Sequence, residues 1–122
     1  MGLAPYGEPK YADLIKKHFI EIYDDGSFLL NMDKFSFSKK QQMINHRFEE
    51  AMGQPRRTAE SELERYHADV ARSLQAVTEE VMIKLAKHVH QETGLKNLCL
   101  AGGVALNCVA NGRILKEGPF EN

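Results

Sequence analysis

The feature that most constrains the fold is a long stretch of helical periodicity in the second half of the chain. Residues 66–94, "YHADVARSLQAVTEEVMIKLAKHVHQETG", repeat apolar side chains every three or four positions, which predicts one apolar face on a helix of about seven turns. The apolar positions are Val70, Leu74, Val77, Val81, Leu85 and Val89. Acidic residues precede this stretch, basic residues lie near its end and Gly94 follows it, as suits the helix dipole and a glycine C-cap.

Shorter elements are predicted ahead of this helix. Residues 1–10 are rich in glycine and proline and indicate a loop, and residues 11–19 fit a short helix. Alternating apolar residues over 19–23, a turn at Asp25 and Gly26, and a return over 28–32 predict a β-hairpin. A further short helix is expected at residues 46–52, since a glycine and a proline follow it.

After the long helix, the pattern predicts a strand, a glycine turn and a second helix. Residues 98–100 form a short apolar run without alternation, typical of a strand covered on both faces. Gly102 and Gly103 would turn the chain into a helix over 104–116, so the architecture is expected to be α/β. Cys99 and Cys108 flank the glycines in apolar surroundings, and we expect both thiols to be buried and reduced.

Composition narrows the classes of partner and the compartment. The 122 residues carry 16 Lys and Arg against 17 Asp and Glu, a net charge of −1, which argues against nucleic-acid or anionic-membrane partners. Neither a membrane span nor a signal peptide is visible, so a cytoplasmic location is expected. The glycine- and proline-rich opening and the ending "KEGPFEN" indicate one domain, residues 1–122, that is an internal piece of a larger protein.

The glycine pair has two interpretations that spacing alone leaves open. Glycines between a strand and a helix allow close packing of the two elements. They also leave backbone N–H groups and the positive end of a helix dipole free for an anion such as a nucleotide phosphate. Asn107 would lie one turn into the helix, where its amide either caps the turn or points toward a bound ribose or phosphate.

Three sequence blocks together resemble the nodulation-type and antibiotic-biosynthesis O-carbamoyltransferases. The blocks are "MGLAPYGEPKY", "HADVARSLQAVTEEVM" and "LAGGVALN", which occur in the family's order and span almost the whole chain. More distantly, the sequence is similar to the universal tRNA threonylcarbamoyl transferase. This resemblance implies an α/β piece of an actin/hexokinase-type, ribonuclease H-like ATPase domain.

The resemblance also implies an activity and a set of site residues. The parent enzyme would make carbamoyl adenylate from carbamoyl phosphate and ATP and pass the carbamoyl group to a substrate hydroxyl. Gly102 and Gly103 match the nucleotide-contacting glycines, Asn107 matches their accompanying asparagine, and Gln75 matches a helix glutamine without an assigned role. The second signature of the family, expected near the nucleotide, is matched by Gly2, Leu3, Ala4, Pro5, Tyr6 and Gly7.

The chain departs from the family where metal binding is concerned. The family pairs histidines as His-x-x-x-His and adds an aspartate loop, whereas no two of the five histidines here have that spacing. We therefore expect no metal ligand and no catalytic base in this chain, a divalent metal held elsewhere in the parent, and no activity of the chain alone. The acceptor alcohol and the oligomeric state are not indicated by the sequence.

Two alternatives and several weaker candidate residues accompany this interpretation. One alternative is a non-catalytic nucleotide-binding or interaction module of the same fold, and the other is a tRNA-modifying relative, against which "GLAPYG" and the lack of basic charge argue. Arg56 and Arg57 are either solvated or phosphate-binding, and Lys10 is a weak phosphate candidate. His67 is expected to cap or flank the long helix. Tyr6 is expected either to stack on a base or to anchor its turn.

Overall fold

A computed structural model describes residues 1–37 and 42–121. Within these residues a two-stranded antiparallel hairpin and four α-helices form a small α/β structure. The elements are α1 (Ala12–His18), β1 (Ile20–Ile22), β2 (Phe28–Leu30), α2 (His46–Met52), α3 (Arg65–Thr93) and α4 (Cys108–Glu117), with short 3₁₀ turns at Ala4–Tyr6, Met32–Lys34 and Gly103–Leu106.

The long helix α3 is the element on which the other parts of the chain are assembled. It begins with a capping box in which the backbone N–H of Glu64 donates to Nδ1 of His67, so the prediction that His67 caps or flanks this helix is confirmed. It ends at Gly94, whose φ of 64° is the left-handed C-cap predicted from the sequence. The predicted apolar face is only partly covered, since Val77 and Val81 are buried whereas Leu74 is 55% exposed.

The first half of α3 packs against α1, the hairpin and α2. Ile15, Phe19, Met52 and Val77 form the buried centre of this core. The rings of Phe19 and Phe48 stack there with their centroids 4.3 Å apart, which joins α1 to α2. Both short helices therefore exist where the sequence predicts them, because each presents aromatic or aliphatic side chains to the same face of α3.

The hairpin is confirmed, with strands shorter than predicted. Ile20 pairs with Leu30 and Ile22 with Phe28. At the turn, Gly26 has φ +86°, and a Cβ at this position would lie 2.4 Å from the backbone nitrogen of Leu85 in α3. The turn therefore requires glycine both for its backbone conformation and for its approach to the helix.

The predicted strand at residues 98–100 is wrong, and the helix after the glycines begins later than expected. A strand needs a neighbour for its backbone hydrogen bonds, and in the described part of the chain the strands β1 and β2 pair only with each other. The segment is held by irregular contacts such as the N–H of Glu121 donating to the carbonyl of Lys96 at 2.8 Å. Residues 103–106 form a 3₁₀ turn, and α4 starts at Cys108 rather than at residue 104.

The expectation of buried cysteines is also wrong. Cys99 lies in the irregular segment and Cys108 on the first turn of α4, and both are exposed free thiols. A second core joins α4 to α3 instead, through Ile83, Ala86, Ile114 and Phe120. This core is made of few side chains, so α4 depends on additional polar contacts with α3.

Candidate functional site

The 3₁₀ turn at Gly103–Leu106 and helix α3 line an open pocket of about 390 Å³. Its wall brings together Gln75, Gly103 and Asn107, three residues that the sequence analysis singled out from separate parts of the chain. The lining is mostly apolar and consists of Met1, Ala71, Leu74, Gln75, Thr78, Gly103, Val104, Leu106 and Asn107. An apolar cleft with a few placed amides is the usual form of a small-molecule site.

The two adjacent glycines meet different requirements. Gly102 has φ +96° and ψ 175°, a backbone region that is essentially restricted to glycine. Gly103 has no such restriction, and no atom lies within 4 Å of the position that its Cβ would occupy. Gly102 therefore sets the direction of the turn, while Gly103 leaves the pocket wall open to a ligand.

Asn107 lies at the start of α4, whereas the sequence pattern predicts it one turn inside the helix. Its Oδ1 accepts from the backbone N–H of Ala110 at 3.2 Å, which makes it the N-cap of α4. The same oxygen accepts from Nε2 of Gln75 at 3.0 Å, and Nδ2 of Asn107 donates to Oε1 of Gln75 at 3.0 Å. This reciprocal amide pair links α3 to α4, and Gln75 is only 4% exposed.

A buried carboxylate fixes α4 to α3 one turn further along. Glu79 is 3% exposed and accepts from Arg72 and from Arg113, each at 3.1 Å. Arg113 also forms a two-point ion pair with Glu117, which lowers the pKa of the Glu117 carboxyl and, with Glu79, raises the pKa of the guanidinium. Arg72 of α3 and Arg113 of α4 both pair with the buried Glu79 carboxylate, so these ion pairs restrict the orientation of α4 on α3.

The first sequence block, "MGLAPYGEPKY", is attached to another face of α3. The backbone N–H of Glu8 donates to the Asp69 carboxylate at 2.8 Å, and that of Tyr11 donates to Oγ of Ser73 at 2.9 Å. Asp69 is 3% exposed, and the hydrogen bond from Glu8, together with Lys10, holds the pKa of its carboxyl below the ordinary value. Gly7 lies so close to the helix that a Cβ would be 2.0 Å from the carbonyl oxygen of Ala68.

The segment from Gly2 to Gly7 therefore lies on α3 beside the pocket rather than in its lining. Met1 is the residue of this region that contacts the pocket. Within the segment Ala4 is buried and the Tyr6 side chain is 72% exposed, so Tyr6 does not anchor the turn. The structure thus gives Gly7 a packing reason and leaves Tyr6 free at the surface.

The remaining candidate cations are paired with nearby groups. Lys10 lies 3.3 Å from Glu8 and 3.4 Å from Asp69. Arg56 lies 3.7 Å from Glu49, and Arg57 donates to the backbone carbonyl of Ser61. These cations support local structure, and none of them lines the pocket beside the glycines.

Residues 1–37 and 42–121 contain neither a cluster of metal-ligand side chains nor a membrane-spanning helix. Over those residues, no three or more His, Cys, Asp or Glu side chains gather into a group that could hold a metal ion. The described residues of this chain therefore provide no ligand set for the divalent metal that the family resemblance places elsewhere in the parent. None of the described helices combines the length and the apolar character needed to cross a bilayer.

Sequence reasoning missed the buried polar side chains of α3. Asp69, Ser73, Gln75 and Glu79 are all buried, although the apolar periodicity places polar residues on the solvent side. The available signal was their spacing, since Asp69 and Ser73 are four residues apart, as are Gln75 and Glu79. Each pair forms a short polar patch on one side of the helix; one patch holds the first sequence block, and the other holds Asn107 and α4.

The chain belongs to the carbamoyltransferase N-terminus family, whose model matches residues 1–122. The chain is 54% identical over 122 residues to an uncharacterized protein of Synechocystis sp.. It is 35% identical over 123 residues to the nodulation protein NolO of Bradyrhizobium diazoefficiens and 34% identical to NolNO of Sinorhizobium fredii. The resemblance drawn from the three sequence blocks is therefore confirmed.

The chain spans only a small part of these relatives. Each match covers the whole of this chain. It covers only 20% of the length of the Synechocystis protein, 20% of NolO and 16% of NolNO. The family relationship thus covers every described element, while most of each relative lies outside the matched region.

Proposed function

We propose that this chain is part of an O-carbamoyltransferase and supplies one wall of its carbamoyl-adenylate pocket. The parent would use ATP and carbamoyl phosphate to make carbamoyl adenylate and would transfer the carbamoyl group to a substrate hydroxyl. The observation that carries this proposal is the pocket in which Gly103, Asn107 and Gln75 meet, within a chain of the carbamoyltransferase N-terminus family. The other parts of the site would come from the rest of the parent.

In this wall, the carbamoyl transfer requires residues that position the adenylate more than it requires reactive side chains. In the transfer step the acceptor oxygen bonds to the carbamoyl carbon, the bond from that carbon to the adenylate oxygen breaks and AMP leaves. The hydroxyl proton must go to a base, and none of the pocket-lining residues carries a carboxyl, imidazole or amine side chain. Open backbone at Gly103 and the Asn107 amide are suited to holding the adenylate in line for attack.

We further propose that this wall belongs to an actin/hexokinase-type ATPase domain of the parent. The support is the sequence likeness to the threonylcarbamoyl transferases together with the helix, glycine turn and helix arrangement. No step of the reaction is assigned to a metal here, because the described residues gather no set of ligands for one.

A non-catalytic nucleotide-binding module of the same fold is the second candidate. It is favoured by one observation, the absence of ionisable side chains from the described pocket lining. Such a module would bind ATP and would not consume it in the presence of carbamoyl phosphate. The two functions therefore differ in a single measurable product, AMP.

The experiment uses Gly103→Val in the full-length protein, with Gly112→Val as the matched control. Both glycines have open space at their Cβ positions, but Gly103 lines the pocket and Gly112 lies inside α4. We measure AMP formed from ATP and a panel of candidate alcohols, with and without carbamoyl phosphate, and follow folding by circular dichroism. The proposal expects carbamoyl-phosphate-dependent AMP from the wild type and the control, and none from Gly103→Val.

Two results would contradict this assignment. Unchanged turnover by Gly103→Val would remove the glycine turn from the adenylate pocket. Binding of ATP by the wild type without carbamoyl-phosphate-dependent AMP would favour the non-catalytic module.

A further inference from the structure

We infer that Gln75 is a positioning residue that sets the orientation of the Asn107 carboxamide in the nucleotide pocket. This inference rests on the proposed function, and it gives Gln75 a role that the sequence left unassigned. It starts from the reciprocal pair of hydrogen bonds between the two amides, both 3.0 Å long, across 32 residues of sequence.

The backbone determines which end of the Asn107 amide is oxygen. The N–H of Ala110 can only donate, so the atom it contacts at 3.2 Å must be the acceptor Oδ1. Gln75 must then present Nε2 to that oxygen and Oε1 to Nδ2 of Asn107. The helix start and Gln75 together therefore define the plane of the Asn107 carboxamide.

This arrangement uses some hydrogen-bonding groups of Asn107 and leaves one in the pocket wall. Oδ1 accepts two hydrogen bonds, and Nδ2 donates one of its two N–H groups to Gln75. The second N–H belongs to a residue that lines the pocket beside Gly103. A donor held in a fixed plane next to open backbone is suited to a phosphate or ribose oxygen of a nucleotide.

Without Gln75, Asn107 would keep its contact with Ala110 but lose the second point that fixes its plane. Gln75 is 4% exposed, so no water replaces it freely on the far side of the pair. The carboxamide would then rotate about its remaining hydrogen bond. We expect nucleotide binding to weaken while α4 keeps its N-cap.

The first variant is Gln75→Met, which keeps the length of the side chain and removes both hydrogen bonds. The matched control is Gln91→Met, the same chemical change at an exposed position of α3. In the full-length protein we expect the KM for ATP in carbamoyl-phosphate-dependent AMP formation to rise about tenfold in the first variant. The control is expected to match the wild type in KM and kcat.

The second variant is Gln75→Glu, which tests positioning separately from packing. The introduced carboxylate accepts but does not donate, so it repels Oδ1 of Asn107. The protonated acid has one donor and one acceptor and restores the reciprocal pair. Burial raises the pKa of such a carboxyl, so the rate relative to wild type should recover as the pH falls from about 8 to about 5.5.

Neighbouring ionisable groups are common to variant and wild type. They are Arg72 and Glu79 within one turn of Gln75 on α3, Arg113, which pairs with Glu79, and Cys108, which follows Asn107 in the chain. Dividing the rate of Gln75→Glu by the wild-type rate at each pH removes their contribution. Gln75→Met has no carboxyl at this position, and its ratio to wild type should stay flat over the same range.

The outcomes separate this inference from the function on which it rests. An unchanged KM in Gln75→Met, or a flat pH ratio in Gln75→Glu, overturns the positioning role and leaves the proposed function standing. A wild type that makes no carbamoyl-phosphate-dependent AMP overturns the proposed function, and this inference with it.

Discussion

Glycine appears in the first block, "MGLAPYGEPKY", and in the glycine-turn block, "LAGGVALN", for opposite physical reasons. At Gly7 there is no room, because a Cβ would sit 2.0 Å from the Ala68 carbonyl oxygen on α3. At Gly103 the space beside the backbone is open, since no atom lies within 4 Å of the position that its Cβ would occupy. Gly7 allows the first block to pack closely on α3, whereas Gly103 leaves the pocket wall open to a ligand.

The contrast extends to the side chains that attach each block to α3. Asp69 and Ser73 accept hydrogen bonds from the backbone of the first block, so that block is fixed as a main-chain segment. Gln75 contacts the side chain of Asn107 in the glycine-turn block, and Glu79 contacts Arg113 further along α4. The first attachment fixes main-chain groups, whereas the second involves a side-chain amide that lines the pocket.

The largest effect is expected from Gly7→Ala. The added methyl group collides with the backbone of α3, which cannot yield without moving the helix, so we expect a loss of about 3 kcal/mol or more in stability. Thermal unfolding of the full-length protein measures it. Gly2→Ala in the same block is the control, because no atom lies within 4 Å of its Cβ position. Equal melting temperatures for the two variants would contradict the contrast.

A smaller effect is expected from Gly102→Ala. No collision occurs there, but φ +96° and ψ 175° strain any residue with a Cβ by about 2 kcal/mol. The strain is relieved if the turn changes its direction, so both the melting temperature and ATP binding should fall. Wild-type values for both quantities would show that the turn tolerates a side chain.

Asp69→Asn should change the pH dependence of stability. The folded-state pKa of Asp69 lies below its ordinary value, so its contribution is present above about pH 4 and is lost as the pH falls through the folded-state pKa. Between pH 7 and pH 3 the melting temperature of the wild type should fall more steeply than that of the variant. Asp24→Asn, at an exposed position of the hairpin turn, serves as the control. Parallel curves for wild type and Asp69→Asn would contradict the role of this carboxylate.

The smallest effect on stability is expected from Gly103→Ala. Its backbone is not in the left-handed region and its Cβ position is open, so the melting temperature should change by less than about 1 °C. Any effect should appear in the KM for ATP instead. A clear drop in stability would mean that Gly103, like Gly7, serves packing.

Local pattern was enough to predict most elements of the fold. The hairpin, α1, α2 and α3 follow from apolar spacing and from the glycines that end them, which act within a few residues. The strand at residues 98–100 failed because strand formation depends on a neighbour elsewhere in the chain. The exposure of Cys99 followed from the same error.

Three residues of the candidate pocket were singled out from the sequence, but their contacts were not predicted. Gly103, Asn107 and Gln75 came from the family resemblance, and the structure brings them to one pocket. Their pairing joins positions 32 residues apart, which no local pattern specifies. Buried polar residues such as Glu79 were missed because hydrophobic periodicity assigns them to solvent.

The attachment of the first block to α3 also has a consequence for synthesis on the ribosome. Glu8 meets Asp69 across 61 residues, so at roughly 5–20 residues per second the block waits about 3–12 s for the helix that holds it. The glycine-turn block is synthesised after α3, so Gln75 is already present when Asn107 is added to the chain. The nascent chain would therefore dock its first block before it completes the pocket, and the ligand wall would be the last part of this unit to assemble.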